Sequence, residues 1–300
     1  MNENEEKTIC YYHDDMDGAA SAAIVKMIYP NTDLVKCQYG NEIEIVDYNK
    51  YDWIFVVDFC FNAEIMAQLA LIETEDTGIP RDKFKLCWID HHKSAMERLP
   101  DLWNSNSIGG LRSTEKAACE LTWENFSPHT EPPRVIKYIG DRDMWKFKYG
   151  DVTRHMNELL DLKVDKPEDL IPFIESESVG DLLDIGENLY DAKMKRCELY
   201  FNKGFKGIIR TSLTKDAVKH SCYVINTNAD ISDSCNHAIE RSGEFICVNF
   251  SWVNSKWVVN LRSESEIDVS VIAKRFDGGG HKNAAGFTFE GDIFDIIQRR

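Results

Sequence analysis

Trp53-Ile54-Phe55-Val56-Val57 is an unbroken apolar run that ends on Asp58, and Leu86-Cys87-Trp88-Ile89 is a second that ends on Asp90-His91-His92. Short continuous apolar runs are the pattern of strands covered on both faces, as central strands of parallel sheets are. Parallel strands need a crossover between them, usually a helix. The neighbouring stretches supply both kinds of element. Residues 7–12 read as a strand, 19–28 as a helix with Gly18 before it and Pro30 after it, and 33–39 as a second strand. A helix is expected over 62–74, capped by Asn62, then a strand over 84–89 and a loop over 104–110. Further helices are expected over 114–125 and from Arg134 toward Gly140. The alternation predicts an α/β fold whose N-terminal part is an open, mostly parallel sheet with helices on both faces.

The pattern changes beyond residue 167, where the chain becomes helical and densely charged, with a long connecting helix over 181–201 punctuated by Gly204 and Gly207. A second series follows: strands over 208–213 and 222–226, a helix over 232–241, strands over 245–251 and 256–261, and a helix over 269–276. Asp277-Gly278-Gly279-Gly280-His281 comes next, then a short strand near Phe287 and a terminal helix. At 300 residues the chain is long enough for two cores. The expected division is an N-terminal domain over 1–180, a connecting helix within 181–206, and a smaller α/β domain with a mixed sheet over 207–300.

Nine cysteines are scattered without a Cys-x-x-Cys pair. That argues against a disulfide framework or a zinc ribbon and points to a reducing, cytoplasmic setting. No apolar stretch is long enough for a membrane span, and the polar, acidic start lacks the features of a secretory signal. A net charge of −16 argues against broad contact with long duplex nucleic acid, which needs a basic face. A small phosphate ligand remains open, because bound cations reverse the field inside one cleft.

Open parallel sheets bind ligands beyond the carboxyl ends of their strands. His13-x-Asp15-x-Asp17, Asp58 and His91 all stand at such predicted ends, and Asp143 follows another apolar segment. Together these six offer mixed oxygen and nitrogen ligands suited to two divalent ions, Mn²⁺ ahead of Zn²⁺. Without a cation, four clustered carboxylates would repel one another and take up protons. A lone Asp or His is more often a helix cap or a satisfied polar residue, and Asp14, Asp101, Asp141, His129, His155, His220 and His237 are read so. Gly278 to Gly280 either let backbone N–H groups converge on an anion or simply stop the preceding helix.

With these motifs the chain resembles the DHH phosphoesterase superfamily, which includes RecJ-type exonucleases, nanoRNases, cyclic-dinucleotide phosphodiesterases and manganese pyrophosphatases. His13-Asp14-Asp15-Met16-Asp17-Gly18 looks like the first motif, Val57-Asp58-Phe59 the second, Ile89-Asp90-His91-His92-Lys93 the third and Asp143-Met144-Trp145-Lys146-Phe147 the fourth. Asp141 is the rival to Asp143, since Gly-Asp-Arg-Asp allows either frame; the aromatic stretch that follows favours Asp143. The resemblance implies one cation on His13, Asp15 and Asp58 and another on Asp17, Asp58, His91 and Asp143, with Asp58 bridging. It implies that His92 meets the scissile phosphate and that Asp90 orients a neighbouring imidazole. Leu261-Arg262-Ser263 and Gly-Gly-Gly-His-Lys-Asn-Ala-Ala-Gly-Phe are similar to the C-terminal domain of nanoRNases and RecJ-like proteins. By that likeness Arg262, Ser263, Gly278, Gly279, Gly280 and His281 bind substrate.

The resemblance implies a two-metal phosphodiesterase that cuts short oligonucleotides or dinucleotides to mononucleotides, with Mn²⁺ as the resident ion and Mg²⁺, Co²⁺ or Zn²⁺ as substitutes. The chain would act as a monomer or homodimer, with no membrane partner. Alternatives are a 3′,5′-bisphosphate nucleotide, a cyclic dinucleotide or polyphosphate as substrate, or a nucleotide sensor that keeps the fold without turnover. A structural zinc protein is disfavoured by the spread of the ligands and the absence of Cys pairs.

Overall fold

The computed structural model describes residues 6–39, 50–72, 85–105, 108–176, 180–214, 217–264 and 267–300. The expected ends at 73–74 and 84, and residues 106–107 of the expected loop, lie outside them. Two compact units divide between Leu189 and Tyr190.

Unit 1 is built on a four-stranded, all-parallel sheet in the order β2-β1-β3-β4. The strands are β1 (Thr8–His13), β2 (Thr32–Cys37), β3 (Trp53–Val57) and β4 (Lys85–Ile89). Helix α1 (Met16–Ile28) carries the chain from β1 to β2, and α2 (Ala63–Ile72) lies between β3 and β4 in sequence. The apolar runs are continuous because alternate residues serve two separate cores. Ile9, Tyr11, Ile54, Val56, Leu86 and Trp88 pack on one face with Met66 and Leu69 of α2. Cys10, Tyr12, Phe55, Val57, Cys87 and Ile89 pack on the other with Ala22 and Val25 of α1. A one-residue slip would exchange the two sets and misfit both.

Helices α3 (Lys93–Arg98), α4 (Pro100–Trp103), α5 (Ala118–Phe126), α6 (Arg134–Asp143), α7 (Asp151–Lys163) and α8 (Ile171–Glu175) complete the unit, and α9 (Gly180–Lys203) spans the division. The helix expected over 114–125 begins only at Ala118. Helix α1 starts three residues earlier than expected, because Asp15 caps it by accepting from the Gly18 N–H at 2.9 Å. Gly18 is required there, since a Cβ would collide with the carbonyl oxygen of His13. Helix α7 was not anticipated; its buried face includes Thr153 and Asn157 beside Met156, Leu159 and Leu160, which blurs the apolar period.

Unit 2 holds a seven-stranded mixed sheet in the order β11-β5-β6-β7-β8-β10-β9, with β6 and β7 parallel and the other neighbours antiparallel. In chain order the elements are β5 (Phe205–Arg210), β6 (Lys219–Ile225), α10 (Ile231–Ser242), β7 (Ile246–Val253), β8 (Lys256–Ser263), α11 (Ser270–Lys274), β9 (Gly279–His281), β10 (Ala284–Phe289) and β11 (Ile297–Arg299). Helix α10 makes the crossover between the parallel pair and covers Tyr223, Ile225 and Cys247. The opposite face is the larger core, around Val224, Val248, Leu261 and Phe287.

Three expectations need correction here. The strand placed over 208–213 runs from Phe205 to Arg210, set by its register with β6 and β11. The terminal helix is instead a 3₁₀ turn over Ile293–Asp295 followed by β11, because pairing Ile297 with Ile209 buries Ile293, Ile296 and Ile297 and covers the edge of β5. A helix this short would have had little to stabilise it alone. The glycine run is a strand, not an open loop: Gly279 and Gly280 pair with Gly286 and Ala285 of β10. Gly280 sits at φ 137°, a conformation that side chains avoid. Among the described residues no helix is long and apolar enough to cross a membrane.

Candidate metal centre

Because every strand of the first sheet runs the same way, the residues that leave β1, β3 and β4 emerge at one edge. His13 ends β1, Asp58 follows β3, and Asp90-His91-His92 follow β4. From the helical side, α1 contributes Asp17 and the last turn of α6 contributes Asp143. Among the described residues, three groups of potential ligand atoms result, the atoms of each group lying within 4.8 Å of one another: His13, Asp15 and Asp58; Asp17, His91 and Asp143; and Asp58, His91 and His92.

Asp58 stands at the junction. It is 1% exposed, and neither carboxylate oxygen receives a hydrogen bond from the described residues. Its surroundings are imidazoles: His13 Nδ1 at 3.7 Å, His91 Nε2 at 3.2 Å and His92 Nδ1 at 3.7 Å. Its φ of 53° lies in the left-handed region, where a side chain persists only if the surrounding structure enforces it. A buried carboxylate without donors is costly. Cations between these ligands would satisfy it, and the mixed oxygen and nitrogen donors fit small divalent ions.

The other ligands are more firmly held. Asp17 accepts from the N–H groups of Ala118 and Cys119, both at 2.8 Å, so it caps α5 from a distant part of the chain and takes the positive end of that helix. His13 Nδ1 meets Asp15 at 2.6 Å while its Nε2 meets Gln38 at 3.0 Å, which fixes the ring. His91 Nε2 lies 3.7, 3.2 and 3.5 Å from Asp17, Asp58 and Asp143. Asp90, fully buried, accepts from the N–H groups of His91 and His92 and from His92 Nδ1 at 2.8 Å, which orients that imidazole.

Burial, followed by the charges of Asp15 and Asp17, pushes Asp58 well above the carboxylate range. Burial and the charge of Asp17 push Asp143 up to about 8. Burial opposes a charge on His13, but the hydrogen bond to Asp15 and the nearby charge of Asp58 outweigh it and raise it to about 11. Burial likewise opposes ionisation of Asp15, and the His13 partnership brings it down to about 2. His91 is raised by Asp17 and Asp143 despite its burial.

Asp141 is turned elsewhere. Its carboxylate accepts from the N–H groups of Lys148 and Tyr149 at 3.0 and 3.2 Å and from Thr153 Oγ1 at 2.6 Å, tying down the loop between α6 and α7. Asp14 pairs with Lys36, and His237 with Glu198. Two groups near the cluster had not been anticipated. Gln38 follows β2 as Asp58 follows β3, so the strand-end argument could have found it. Tyr39, 44% exposed, stacks on Phe59 with ring centroids 4.7 Å apart and lies 5.4 Å from the His13 ring.

In unit 2, Arg262 of β8 is opposite Ala284 of β10, which is in turn opposite His281 of β9. Directly opposed residues share a face, so Arg262 and His281 flank a small alanine on one side of the sheet. The guanidinium is oriented by Ser232 Oγ at 2.9 Å and by the carbonyl of Leu261 at 3.0 Å. Ser263 is on the other face, bonded to the carbonyl of Ile267 at 2.7 Å, so it is not brought to Arg262 and His281. The Gly278 N–H donates to the Ala273 carbonyl, and Gly279 and Gly280 lie in a strand paired with β10.

Residues 222–299 match the DHHA1 domain family, which covers most of unit 2. Over nearly the whole chain, the sequence also aligns with an oligoribonuclease. Residues 222–299 thus carry a DHHA1 domain, and the chain as a whole is similar to phosphoesterases of the DHH/DHHA1 superfamily. That relative is oligoribonuclease NrnB of Bacillus subtilis, 23% identical over 306 residues, covering 96% of this chain and 74% of the relative. The uncharacterized protein R106 of Acanthamoeba polyphaga mimivirus is 26% identical over 318 residues, covering 97% of this chain and 69% of that one. Among solved structures, the pGpG-specific phosphodiesterase PggH of Vibrio cholerae is similar with a TM-score of 0.49 and 12% identity, covering 95% of this chain and 94% of that one.

Proposed function

We propose that this chain is a metal-dependent phosphodiesterase that hydrolyses short oligonucleotides, dinucleotides included, to mononucleotides. The observation that carries the reading is Asp58, a buried carboxylate with no hydrogen-bond donor among the described residues, shared between ligand groups on both sides. In this reading His13, Asp15 and Asp58 hold one divalent cation, and Asp17, Asp58, His91 and Asp143 hold the second. The cations, Mn²⁺ foremost, supply Lewis acidity and charge neutralisation at the scissile phosphate when bound. His92 has its Nδ1 committed to Asp90, so its Nε2 edge meets the phosphoryl oxygens and supports the charge that grows there.

Residues 1–180 then carry the reaction. Residues 207–300 hold the non-scissile nucleotide through Arg262 and His281, joined to the first domain through 181–206. A guanidinium already oriented by Ser232 loses little freedom when it grips a phosphate. The likeness to an oligoribonuclease supports a nucleic-acid substrate. The charge of −16 supports short pieces over long strands, since it repels polyanions at a distance. Nine buried cysteines, none in a disulfide, suit a reducing, cytoplasmic setting.

The test is to incubate the full chain with Mn²⁺ and, separately, a labelled dinucleotide, a 3′,5′-bisphosphate nucleotide, a cyclic dinucleotide and tripolyphosphate. The expected result is conversion of the dinucleotide to mononucleotides, faster than any other reaction. Cleavage of tripolyphosphate alone would overturn the nuclease reading, and tight dinucleotide binding without turnover would make the chain a sensor.

A further inference from the structure

The loop that follows Asp143 carries more chemistry than a link between α6 and α7 requires. Residues 142–149 read Arg-Asp-Met-Trp-Lys-Phe-Lys-Tyr, cations interleaved with rings, in a chain whose overall charge is strongly negative. The indole of Trp145 is 41% exposed. The Arg142 guanidinium lies 4.2 Å from its centroid, and the Phe147 ring meets it edge-on at 4.9 Å. Arg154 lies 3.9 Å above Phe147.

The backbone makes this display expensive. Trp145 and Phe147 have φ values of 54° and 47°, the left-handed region that bulky side chains avoid and that an ordinary link would give to Gly or Asn. The conformation is enforced from inside. The Asp141 carbonyl accepts from Lys146 N–H at 2.9 Å, its carboxylate holds Lys148, Tyr149 and Thr153, and Lys146 Nζ reaches the Glu115 carbonyl at 2.7 Å. A buried acid and two strained residues thus keep an aromatic ring at the surface, although burying it would be the favourable choice for packing alone. The Cα of Trp145 is within about 7 Å of that of Asp143 by chain length, a gap that one nucleoside bridges.

We propose that Trp145, backed by Arg142 and Phe147, is the stacking platform for the nucleobase of the nucleotide whose phosphate lies at the Asp58 cluster. This rests on the reading of that cluster as a phosphodiesterase centre. An indole face backed by a guanidinium accepts any base, so the platform selects for a nucleotide without selecting its sequence. It separates nucleotides from inorganic phosphate chains, which have nothing to stack.

The test compares 5′-AMP with ribose 5-phosphate, which share a phosphate and a sugar and differ in the base. Binding of each to the full, Mn²⁺-loaded chain is measured by titration calorimetry, for wild type, Trp145→Ala and Trp145→Phe. The wild type is expected to prefer AMP by about 5- to 150-fold. Trp145→Ala should bring the ratio close to one, and Trp145→Phe should keep most of it. A ratio unchanged in Trp145→Ala, no preference in the wild type, or no binding of either compound overturns the platform. Dinucleotide hydrolysis is assayed alongside. If the dinucleotide is cleaved while the ratio ignores Trp145, the platform falls and the reaction stands. If a Trp145-dependent preference appears without cleavage, the platform stands and the reaction falls.

Discussion

Asp58→Asn separates the cost of the cluster from its use. Asparagine keeps the shape and tolerates the left-handed backbone at φ 53°, so the substitution removes a charge and little else. In the metal-free protein that charge is a burden: the carboxylate is buried, receives no hydrogen bond and faces Asp15, Asp17 and Asp143. Its pKa is raised in the folded state, so the sign follows from linkage. The unfolded chain ionises first; the burden is absent below the unfolded pKa and grows as pH rises from there toward the folded one. Near pH 7.5 the metal-free variant is therefore expected to be more stable than the wild type by about 1–4 kcal/mol, the cost of burying the charge less what His13 and His91 return by attracting it. In a unit of this size that corresponds to about 2–4 °C in Tm per kcal/mol. With Mn²⁺ the order should reverse. Wild type should gain about 2.7 kcal/mol per site at a hundredfold excess over Kd, and the variant should gain much less. Differential scanning fluorimetry with and without chelator, at pH 5 and pH 7.5, reads all four states. A variant less stable than wild type in chelator, or one that keeps the full Mn²⁺ shift, would refute the reasoning.

Cations must displace protons held by Asp143, which titrates at about 8, and His13, at about 11. Mn²⁺ affinity should therefore tighten as pH rises from 6.5 to 8.5, by up to roughly tenfold per pH unit for each proton released; calorimetry in buffers of different ionisation enthalpy counts those protons, and a pH-independent Kd would contradict the assignment. Arg262→Ala should weaken dinucleotide binding by tenfold or more, in line with about 1.5–3 kcal/mol for a charged hydrogen bond, and leave metal content unchanged; elemental analysis beside a KM measurement checks both, and lost metal would show the residue has another role. Asp141→Ala removes the acceptor of three donors and should destabilise the protein by about 3 kcal/mol in urea melts. A change below about 0.5 kcal/mol there would mean that the loop holds itself.

The parts visible in the sequence were those that a parallel sheet writes into it directly. Trp53–Val57 reads as a strand because both its faces are buried, and an acid that follows such a run emerges where ligands bind. Asp17 shows the opposite case. Its position was legible, but its task of capping α5 depends on a contact 101 residues away, which local pattern does not record. Asp141 and Asp143 are two apart on α6 and therefore point about 200° apart, so only one can face the cluster. The sequence alone allows either frame, and the structure turns Asp143 toward Asp17 and His91. The glycine run and the C-terminus went unread for a related reason. Gly279-Gly280-His281 and Ile297-Gln298-Arg299 are too short to show a period, and they become strands only because a neighbouring edge pairs with them. The ring of Tyr39 beside His13 was missed because β2 is half exposed and carries no unbroken apolar run to mark its end.

The central claim is that Asp58 joins two cations held by residues from four separate segments of the chain. Anomalous diffraction at the manganese edge, from crystals of the full chain grown with Mn²⁺, addresses it directly. The expected result is two peaks about 3.5–4 Å apart on either side of the Asp58 carboxylate, one beside His13 and Asp15 and the other beside Asp17, His91 and Asp143. A map with no peak at Asp58, or with manganese bound only elsewhere, would contradict the account.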